Sequence, residues 1–300
     1  MNNKWLNKEK NIFFVLLAAF LIFRLLILFT SFDELYDSEE LYRGAIANEI
    51  IEGRSLPLLD YLYTDYEGGS LIIGICAVPF FFLFGKSYLS LKMATFLISA
   101  LIFSLWYWIF NKYFNLYSAV VFSLLMLFPV PSLLKISLTS WGNHFESALF
   151  STFIIFFILK AIYEDNTKRQ NLYTAFAGIS FGFGTFFSYS LLPQAAAIFI
   201  SLLLLRYRFL LKKFYLLVLS SLIGFLPGIY FNLTHNFAGF RIKGKSLNQI
   251  IAPTTPKGGG NNRFINFIIS KIPQSSCLSG DSFIKIDGAE ILISFIYLIS

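Results

Sequence analysis

The sequence is poor in the residues that mark disulfide-linked domains and soluble metal proteins. It has two cysteines and two histidines among 300 residues. Cys76 and Cys277 stand far apart and form no CxxC spacing, so neither a disulfide framework nor a thiolate metal site is predicted. Charged residues make up only 14% of the chain, whereas about a quarter is usual in soluble domains. This composition excludes an ordinary soluble domain.

The sequence is rich in apolar residues. Hydrophobic residues supply 56% of the chain and aromatic residues 19%, including 37 phenylalanines. Runs of about 20 apolar residues, the length that crosses a bilayer core, recur along it. We therefore predict an all-α integral membrane protein with several spans. The candidate spans are 11–31, 89–110, 116–134, 145–163, 171–190, 192–206 and 213–232, with another that begins near Ile291 and is cut off at Ser300.

The basic residues predict the orientation of these spans. The net charge is +7, but the basic residues sit in short clusters between apolar runs. That pattern is typical of cytoplasmic anchors and not of a basic stripe that binds nucleic acid. The apolar run at 70–84 contains Pro79 and is short for a span. If it does not cross, the clusters at 111–112, 168–169 and 206–213 all share the cytoplasmic side with the N-terminus.

This topology divides the chain into three parts. Residues 1–232 form a transmembrane module, with a large extracytoplasmic loop at 32–88 that carries juxtamembrane helices, one of them at 70–84 in the outer interface. Residues 233–288 form a second extracytoplasmic loop, and 289–300 begin a further transmembrane helix. We predict a multi-pass protein of the cytoplasmic membrane, with a cytoplasmic N-terminus and an extracytoplasmic site.

A cluster of carboxylates follows the first predicted span. Asp37, Glu39 and Glu40 lie in the stretch DSEELYR, beside Tyr42 and Arg43. Carboxylates at a membrane surface can take a proton from an acceptor hydroxyl or hold a divalent cation. Alternatively, Asp37 caps a helix and Glu40 closes a capping box. The spacing by itself favours neither interpretation.

A second polar cluster, WGNHFE at 141–146, lies at the outer mouth of the fourth predicted span. It places His144 and Glu146 at the membrane boundary, where ionisable groups usually face a polar cavity or a partner. The alternative is an interfacial belt with Trp141 and His144 at headgroup level. Because both clusters fall on the same predicted side, we favour a functional role.

Three more charged residues complete the candidate site. Glu67 precedes two glycines and the interfacial run, where a plain turn is the alternative. Arg241 and Lys243 follow the seventh span and, with Arg43, are candidates for binding a lipid phosphate. Each of these cations is also explained as a solvated or headgroup-facing charge. The predicted ligands for a divalent metal ion are Glu67, His144 and Glu146.

The layout and motifs resemble those of the GT-C glycosyltransferases, which include protein O-mannosyltransferases and the lipid A aminoarabinose transferase. Residues 37–57, DSEELYRGAIANEIIEGRSLP, resemble the family's acidic motif, its tyrosine and the following helix. YEGGSLIIGICAVPFFFLFG resembles its interfacial helix ending in Phe-Gly, and WGNHFE resembles a Gly-x-His-x-Glu stretch of bacterial members. The sequence-specific likeness is confined to 37–92 and 141–146. Two departures are Ser38, which interrupts the acidic pair, and EGGS where one branch has Glu-Lys-Pro-Pro.

The resemblance implies an inverting glycosyltransferase embedded among membrane lipids that takes a sugar from a polyprenyl-phosphate donor. Asp37 or Glu39 would act as the base, and basic residues or a divalent metal would stabilise the leaving phosphate. The acceptor would be an extracytoplasmic lipid, glycan or protein. Family members have more spans, so the resemblance also implies that this chain is a fragment.

Two other classes of protein stay open. A flippase or transporter of lipid-linked oligosaccharides would place paired charges and broken helices near the bilayer midplane, whereas these charges gather at one face. A membrane scaffold without chemistry would need neither polar cluster. Substitution of Asp37 and Glu39 separates the classes, because a scaffold should tolerate it.

Overall fold

The computed structural model describes residues 3–31, 35, 37–54, 68–235 and 237. The chain divides into two compact units: Met1–Leu127 with Ser137–Gly239, and Phe128–Ile136 with Phe240–Ser300. Nearly all of the predicted second external loop, and the whole of the last predicted span, lie outside the described residues.

The described ranges contain α-helices and one short 3₁₀ turn, with no strand among them. In chain order the α-helices are α1 (Asn3–Ser31), α2 (Glu40–Ile51), α3 (Gly69–Phe84), α4 (Tyr88–Tyr113), α5 (Leu116–Leu127), α6 (Pro131–Ile136), α7 (Ala148–Ile162), α8 (Thr167–Phe187), α9 (Leu191–Gly224) and α10 (Leu226–Thr234). The 3₁₀ turn, Phe145–Ser147, leads directly into α7.

Four segments are long and apolar enough to cross a membrane: Glu9–Ser31, Tyr88–Tyr113, Phe145–Ile162 and Leu191–Gly224. Large apolar side chains stand on the outside of the helices, as with Leu205, which is 78% exposed. Contiguous exposed apolar surface of this kind is unusual in a soluble monomer and typical of a lipid-facing one. An all-helical fold with several candidate spans is what the composition predicts for a helical membrane protein.

The third predicted span, 116–134, ends earlier than the hydropathy indicates. Helix α5 stops at Leu127, and α6 begins only at Pro131. Pro129 and Pro131 lack the backbone N–H that a continuing helix needs, and each disfavours helical backbone in the residue before it. The apolar run therefore contains two helices, both shorter than a span.

Helix α9 turns back on itself at Arg206, whose φ of −144° and ψ of 40° are not helical. Beyond this point Lys213 donates to Asn171 at 2.5 Å, near the start of α8. Further along both helices, Gly182 lies against the carbonyl of Ser221. From the first of these contacts to the second, the residue numbers increase in both helices. The second half of α9 therefore runs parallel to α8.

The first half of α9 runs the other way. Leu191 packs on Gly184, and the ring of Phe199 lies 5.7 Å from that of Phe181, one turn earlier in α8. The two halves of α9 therefore have opposite directions, as expected for the separate predicted spans 192–206 and 213–232. The bend falls between them, among the basic residues of 206–213.

The contact between α8 and α9 depends on glycine. A Cβ added at Gly182 would overlap the backbone carbonyl of Ser221, so Gly182→Ala should force the helices apart. We expect a loss of about 1–3 kcal/mol in folding free energy, measured by thermal unfolding in detergent. Gly44→Ala in α2 is the matched control, because its Cβ would lie 3.6 Å from Leu91 Cδ2, an ordinary contact. Equal stability of the two variants would contradict the close helix packing.

The two ends of the bundle differ in their polar groups. Helices α1 and α4 are antiparallel: Tyr107, near the end of α4, donates to the carbonyl of Glu9 at 3.3 Å. Lys92, near the start of α4, donates to the carbonyl of Leu35 at 3.0 Å, just beyond α1. Helix α2 lies at this second end, because Glu40 is bonded to Lys92. We call it the polar end.

The opposite end carries basic residues. Lys112 and Lys160 both lie over the ring of Trp108, at 4.7 and 5.1 Å from its centroid. Lys213 is bonded to Asn171 near the first turns of α8. The clusters that we predict to face the cytoplasm therefore share one end of the bundle. The orientation of that end in a membrane stays a prediction.

Helix α3 stays at the polar end. Its first residue, Gly69, lies against the carbonyl of Gly142, and its later part packs on Leu91, near the start of α4. Lys86, just after α3, donates to Glu52 beyond the end of α2 at 3.0 Å. Helices α2 and α3 thus pack side by side there. A location of α3 in the outer membrane interface stays a prediction.

Candidate functional site: a buried ionisable cluster at the polar end

Asp37 lies in the turn that leads into α2. Its Oδ1 accepts a hydrogen bond from the backbone N–H of Glu39 at 2.9 Å. Its own N–H donates to Glu40 Oε2 at 3.2 Å. Reciprocal bonds of this kind satisfy backbone donors that the first helical turn leaves unpaired. These bonds agree with the structural interpretation of Asp37 and Glu40, although the N-cap residue itself, Glu39, makes no side-chain capping bond, and its side chain is 52% exposed.

Glu40 and Lys92 form a buried ion pair. Both side chains are fully buried, and Lys92 Nζ lies 2.9 Å from each carboxylate oxygen. Glu40 Oε1 also accepts from the N–H of Ser140 at 2.6 Å. Burial raises the pKa of the Glu40 carboxyl, and the Lys92 ammonium opposes that rise. The pair joins α2 to α4 and to the segment before α7, and both oxygens of Glu40 are occupied.

Arg43 is buried on the next turn of α2 with only part of its guanidinium bonded. Nη1 donates to the carbonyl of Glu39 at 2.5 Å, and Nη2 lies 3.9 Å from Glu39 Oε2. Within the described ranges, Nε and Nη2 make no hydrogen bond. Burial lowers the pKa of Arg43, and the carboxylates of Glu39 and Glu146 are the largest opposing influences. A buried cation with free donors is costly unless something accepts from them.

Glu146 is also half bonded. It is 1% exposed, and its Oε1 accepts from Thr95 Oγ1 and from the N–H of Gly142, both at 3.1 Å. Its Oε2 has no hydrogen-bond partner among the described residues. Gly142 reaches this position with a φ of +76°, in the left-handed region that glycine adopts readily.

Arg43 and Glu146 are both buried at the polar end. In the described part of the chain they nevertheless form no direct ion pair, and each keeps unpaired polar atoms. Buried charged groups are normally paired and fully hydrogen-bonded. Their unused donors and acceptor suit a ligand that carries an acidic group and a hydrogen-bond donor.

The other predicted site residues take varied positions. Tyr42 is 45% exposed on α2, and His144 is exposed with its ring 4.5 Å from that of Trp141. Glu67, Arg241 and Lys243 lie outside the described residues. Trp141 Nε1 and Asn143 Oδ1 are buried and have no partner within the described ranges.

The predicted metal ligands are described only in part. No group of three or more His, Cys, Asp or Glu side chains comes together in the described ranges. Of the predicted set these ranges hold Glu146, with one free oxygen, and His144 at the surface. Two such groups are fewer than a metal site normally uses. The metal stays a prediction that depends on Glu67.

Several buried polar partners at the polar end and in α1 lie outside the motifs of the sequence. Lys92, Thr95 and Ser140 belong to none of the candidate sites that the sequence predicts. Arg24 is another such residue: it is fully buried in α1 and donates to Ser137 Oγ at 2.6 Å. The available signal was the presence of a charge inside an apolar run, which usually indicates a buried partner.

The helices and the site together define a helical membrane protein with a buried ionisable cluster at one end of its bundle. Comparison with protein-family models, with curated proteins and with solved structures gave no significant match.

Proposed function

We propose that the protein is a membrane glycosyltransferase of the GT-C type, which moves a sugar from a polyprenyl-phosphate donor to an acceptor outside the cytoplasmic membrane. The observation that carries the proposal is the buried Arg43, whose Nε and Nη2 make no hydrogen bond within the described residues, at the same polar end as the half-bonded Glu146. A buried guanidinium with free donors suits a lipid-linked phosphate. The resemblance of DSEELYR and WGNHFE to family motifs gives independent support.

In this mechanism the acceptor attacks the anomeric carbon of the sugar. Asp37 or Glu39, at the exposed start of α2, takes the proton from the acceptor hydroxyl. The bond between the anomeric carbon and the phosphate oxygen breaks, and the polyprenyl phosphate leaves with the electron pair. Arg43 stabilises the negative charge that develops on that oxygen. Attack from the opposite face inverts the anomeric centre.

Glu40 has a positioning role in the proposal. The sequence makes it a third candidate base, but its oxygens accept from Lys92, Ser140 and the N–H of Asp37. A carboxylate with both oxygens occupied is poorly placed to take another proton. Glu40 instead fixes the start of α2, and with it Asp37 and Arg43.

A transporter of lipid-linked oligosaccharides is the second candidate, and Arg24 favours it. This residue is a buried charge within a candidate span, as transport pathways often have. Its bonds to Ser137 Oγ and to the carbonyl of Met126, at 2.6 and 3.2 Å, equally explain it as a link between α1 and its neighbours. The ionisable cluster at the polar end favours the transferase.

The test is sugar transfer from radiolabelled polyprenyl-phosphate sugars in membranes that carry the full-length protein. We expect the variant that removes the base, Asp37→Asn or Glu39→Gln, to reduce transfer by about 10²-fold or more. The amount of the variant protein in the membrane should equal that of the wild type. Glu52→Gln is the matched control, because Glu52 is an acid at the other end of α2 that pairs with Lys86 at the surface.

The outcomes separate the candidates. A loss confined to the Asp37 or Glu39 variant supports the transferase and identifies the base. Transfer that is indifferent to both substitutions, or no transfer from any donor, would reject the proposed mechanism. In that case flipping of lipid-linked oligosaccharides across vesicles becomes the assay for the second candidate.

A further inference from the structure

Two carboxylates at the polar end are held by the same face of α4 but differ in their bonding. Lys92 and Thr95 are three positions apart and so share a face of the helix. Lys92 binds Glu40, whose two oxygens are both occupied. Thr95 binds Glu146, whose Oε2 has no partner in the described ranges. One carboxylate is therefore complete as a structural group, and the other is not.

The bonds to Oε1 fix the direction of the Glu146 carboxylate. Thr95 Oγ1 approaches from α4 and the N–H of Gly142 from the turn before α7, each at 3.1 Å. The side chain is 1% exposed, so bulk water does not supply the missing bond. An unpaired buried carboxylate oxygen is costly to the fold, and its retention is best explained by a ligand.

The same segment offers further unpaired polar atoms. Trp141 Nε1 is a free donor and Asn143 Oδ1 a free acceptor, both buried and unpartnered within the described residues. A hydroxyl group can both donate and accept, so a molecule with several hydroxyls suits such a mixture. An aliphatic chain does not, because it has no donor or acceptor, and a fully ionised phosphate has no proton to donate to Glu146.

We infer that Glu146 is the sugar-recognition residue of this site. Its Oε2 accepts a hydrogen bond from a hydroxyl or amino group of the sugar, while Arg43 binds the phosphate that links the sugar to its lipid. This assignment rests on the proposed function. It gives Glu146 the sugar and Arg43 the phosphate of the same donor. Glu146 binds the sugar and takes no part in bond breaking, so it affects binding of the donor more than turnover.

The test compares two probes on purified full-length protein: a short-chain prenyl phosphate, and the same lipid carrying a hexose or a pentose. We expect at least one sugar-bearing lipid to bind more tightly than the plain lipid. Glu146→Gln, which loses the charged acceptor, should remove about 10- to 100-fold of that sugar-dependent affinity and leave binding of the plain lipid unchanged. Arg43→Gln should weaken binding of both lipids.

Two further variants control for folding. Glu164→Gln makes the same substitution just beyond the other end of α7 and should change neither affinity. Thr95→Val removes one bond to Oε1 and leaves Oε2 in place, so its sugar-dependent affinity should lie between those of wild type and Glu146→Gln. Melting temperatures show whether each variant is folded.

Several results would overturn the subsite. The first is a Glu146→Gln protein that keeps the full sugar-dependent affinity, and the second is one that loses affinity for both lipids alike. The third is a wild-type protein that binds the plain and the sugar-bearing lipids equally well. Sugar-dependent binding without transfer would instead overturn the transferase and leave the subsite standing. If the wild type transfers sugar and Glu146→Gln leaves the sugar-dependent affinity unchanged, the subsite is overturned and the transferase stands.

Discussion

Replacing Lys92 with methionine is expected to cost about 3–5 kcal/mol in folding free energy. Lys92 and Glu40 are both fully buried, and removal of the ammonium leaves the carboxylate in a low-dielectric interior without its counter-ion. The carbonyls of Leu35 and Leu138 also lose a donor. Unfolding of the purified protein in mixed detergent and denaturant, followed by circular dichroism, measures the loss.

Two variants make this result interpretable. Lys86→Met removes a cation from the exposed pair with Glu52, and the unfolding midpoint should barely move because surface pairs contribute little. Adding Glu40→Gln to Lys92→Met removes the stranded charge but keeps an acceptor for the N–H of Ser140. The double variant should therefore be more stable than Lys92→Met alone. Equal, small losses in Lys86→Met and Lys92→Met would contradict a buried ion pair.

Gly142→Ala is expected to destabilise the protein by about 2–5 kcal/mol and to disturb the site as well. Gly142 has a φ of +76°, which costs an L-residue about 1–2 kcal/mol. An added Cβ would also lie 2.7 Å from the backbone of Gly69, and overpacking of this kind costs about 1–3 kcal/mol. Relief of this clash displaces the backbone N–H of residue 142 that donates to Glu146, so the variant should also lose sugar-dependent binding.

Gly53→Ala isolates the conformational part of that loss. Gly53 has a similar φ of +67°, but no atom lies within 4 Å of its added Cβ. It should lose about 1–2 kcal/mol and keep ligand binding, measured with the same unfolding and binding assays. If the two variants prove equally stable, the close approach of α3 to residue 142 is wrong.

The helices could be predicted from the sequence because the bilayer imposes a simple rule on it. Apolar runs long enough to cross are visible directly, and the predicted spans 11–31, 89–110 and 145–163 each match a helix of the structure. Helix α5 was predicted too long, since hydropathy does not register the prolines that follow Leu127. The direction of each half of α9 followed from the basic residues between them.

The site was harder to predict, because its bonds join distant parts of the chain. The acidic cluster and the segment 141–146 stand out as polar groups beside apolar runs, and both lie at the polar end. The pairing of Glu40 with Lys92 spans 52 positions, and that of Glu40 with Ser140 spans 100. No local pattern indicates which of several neighbouring carboxylates is buried. The spacing therefore could not separate the structural Glu40 from the half-bonded Glu146.

The bond between Glu40 and Ser140 has a consequence for how the protein is made. The start of α2 leaves the ribosome long before Ser140, so it must wait for about a hundred more residues to be synthesised and inserted. Until then Lys92 can neutralise Glu40, but Thr95 has no carboxylate to bind and Arg43 has no opposing Glu146. The polar end is therefore completed late in membrane insertion, and a nascent chain stalled before residue 140 lacks it.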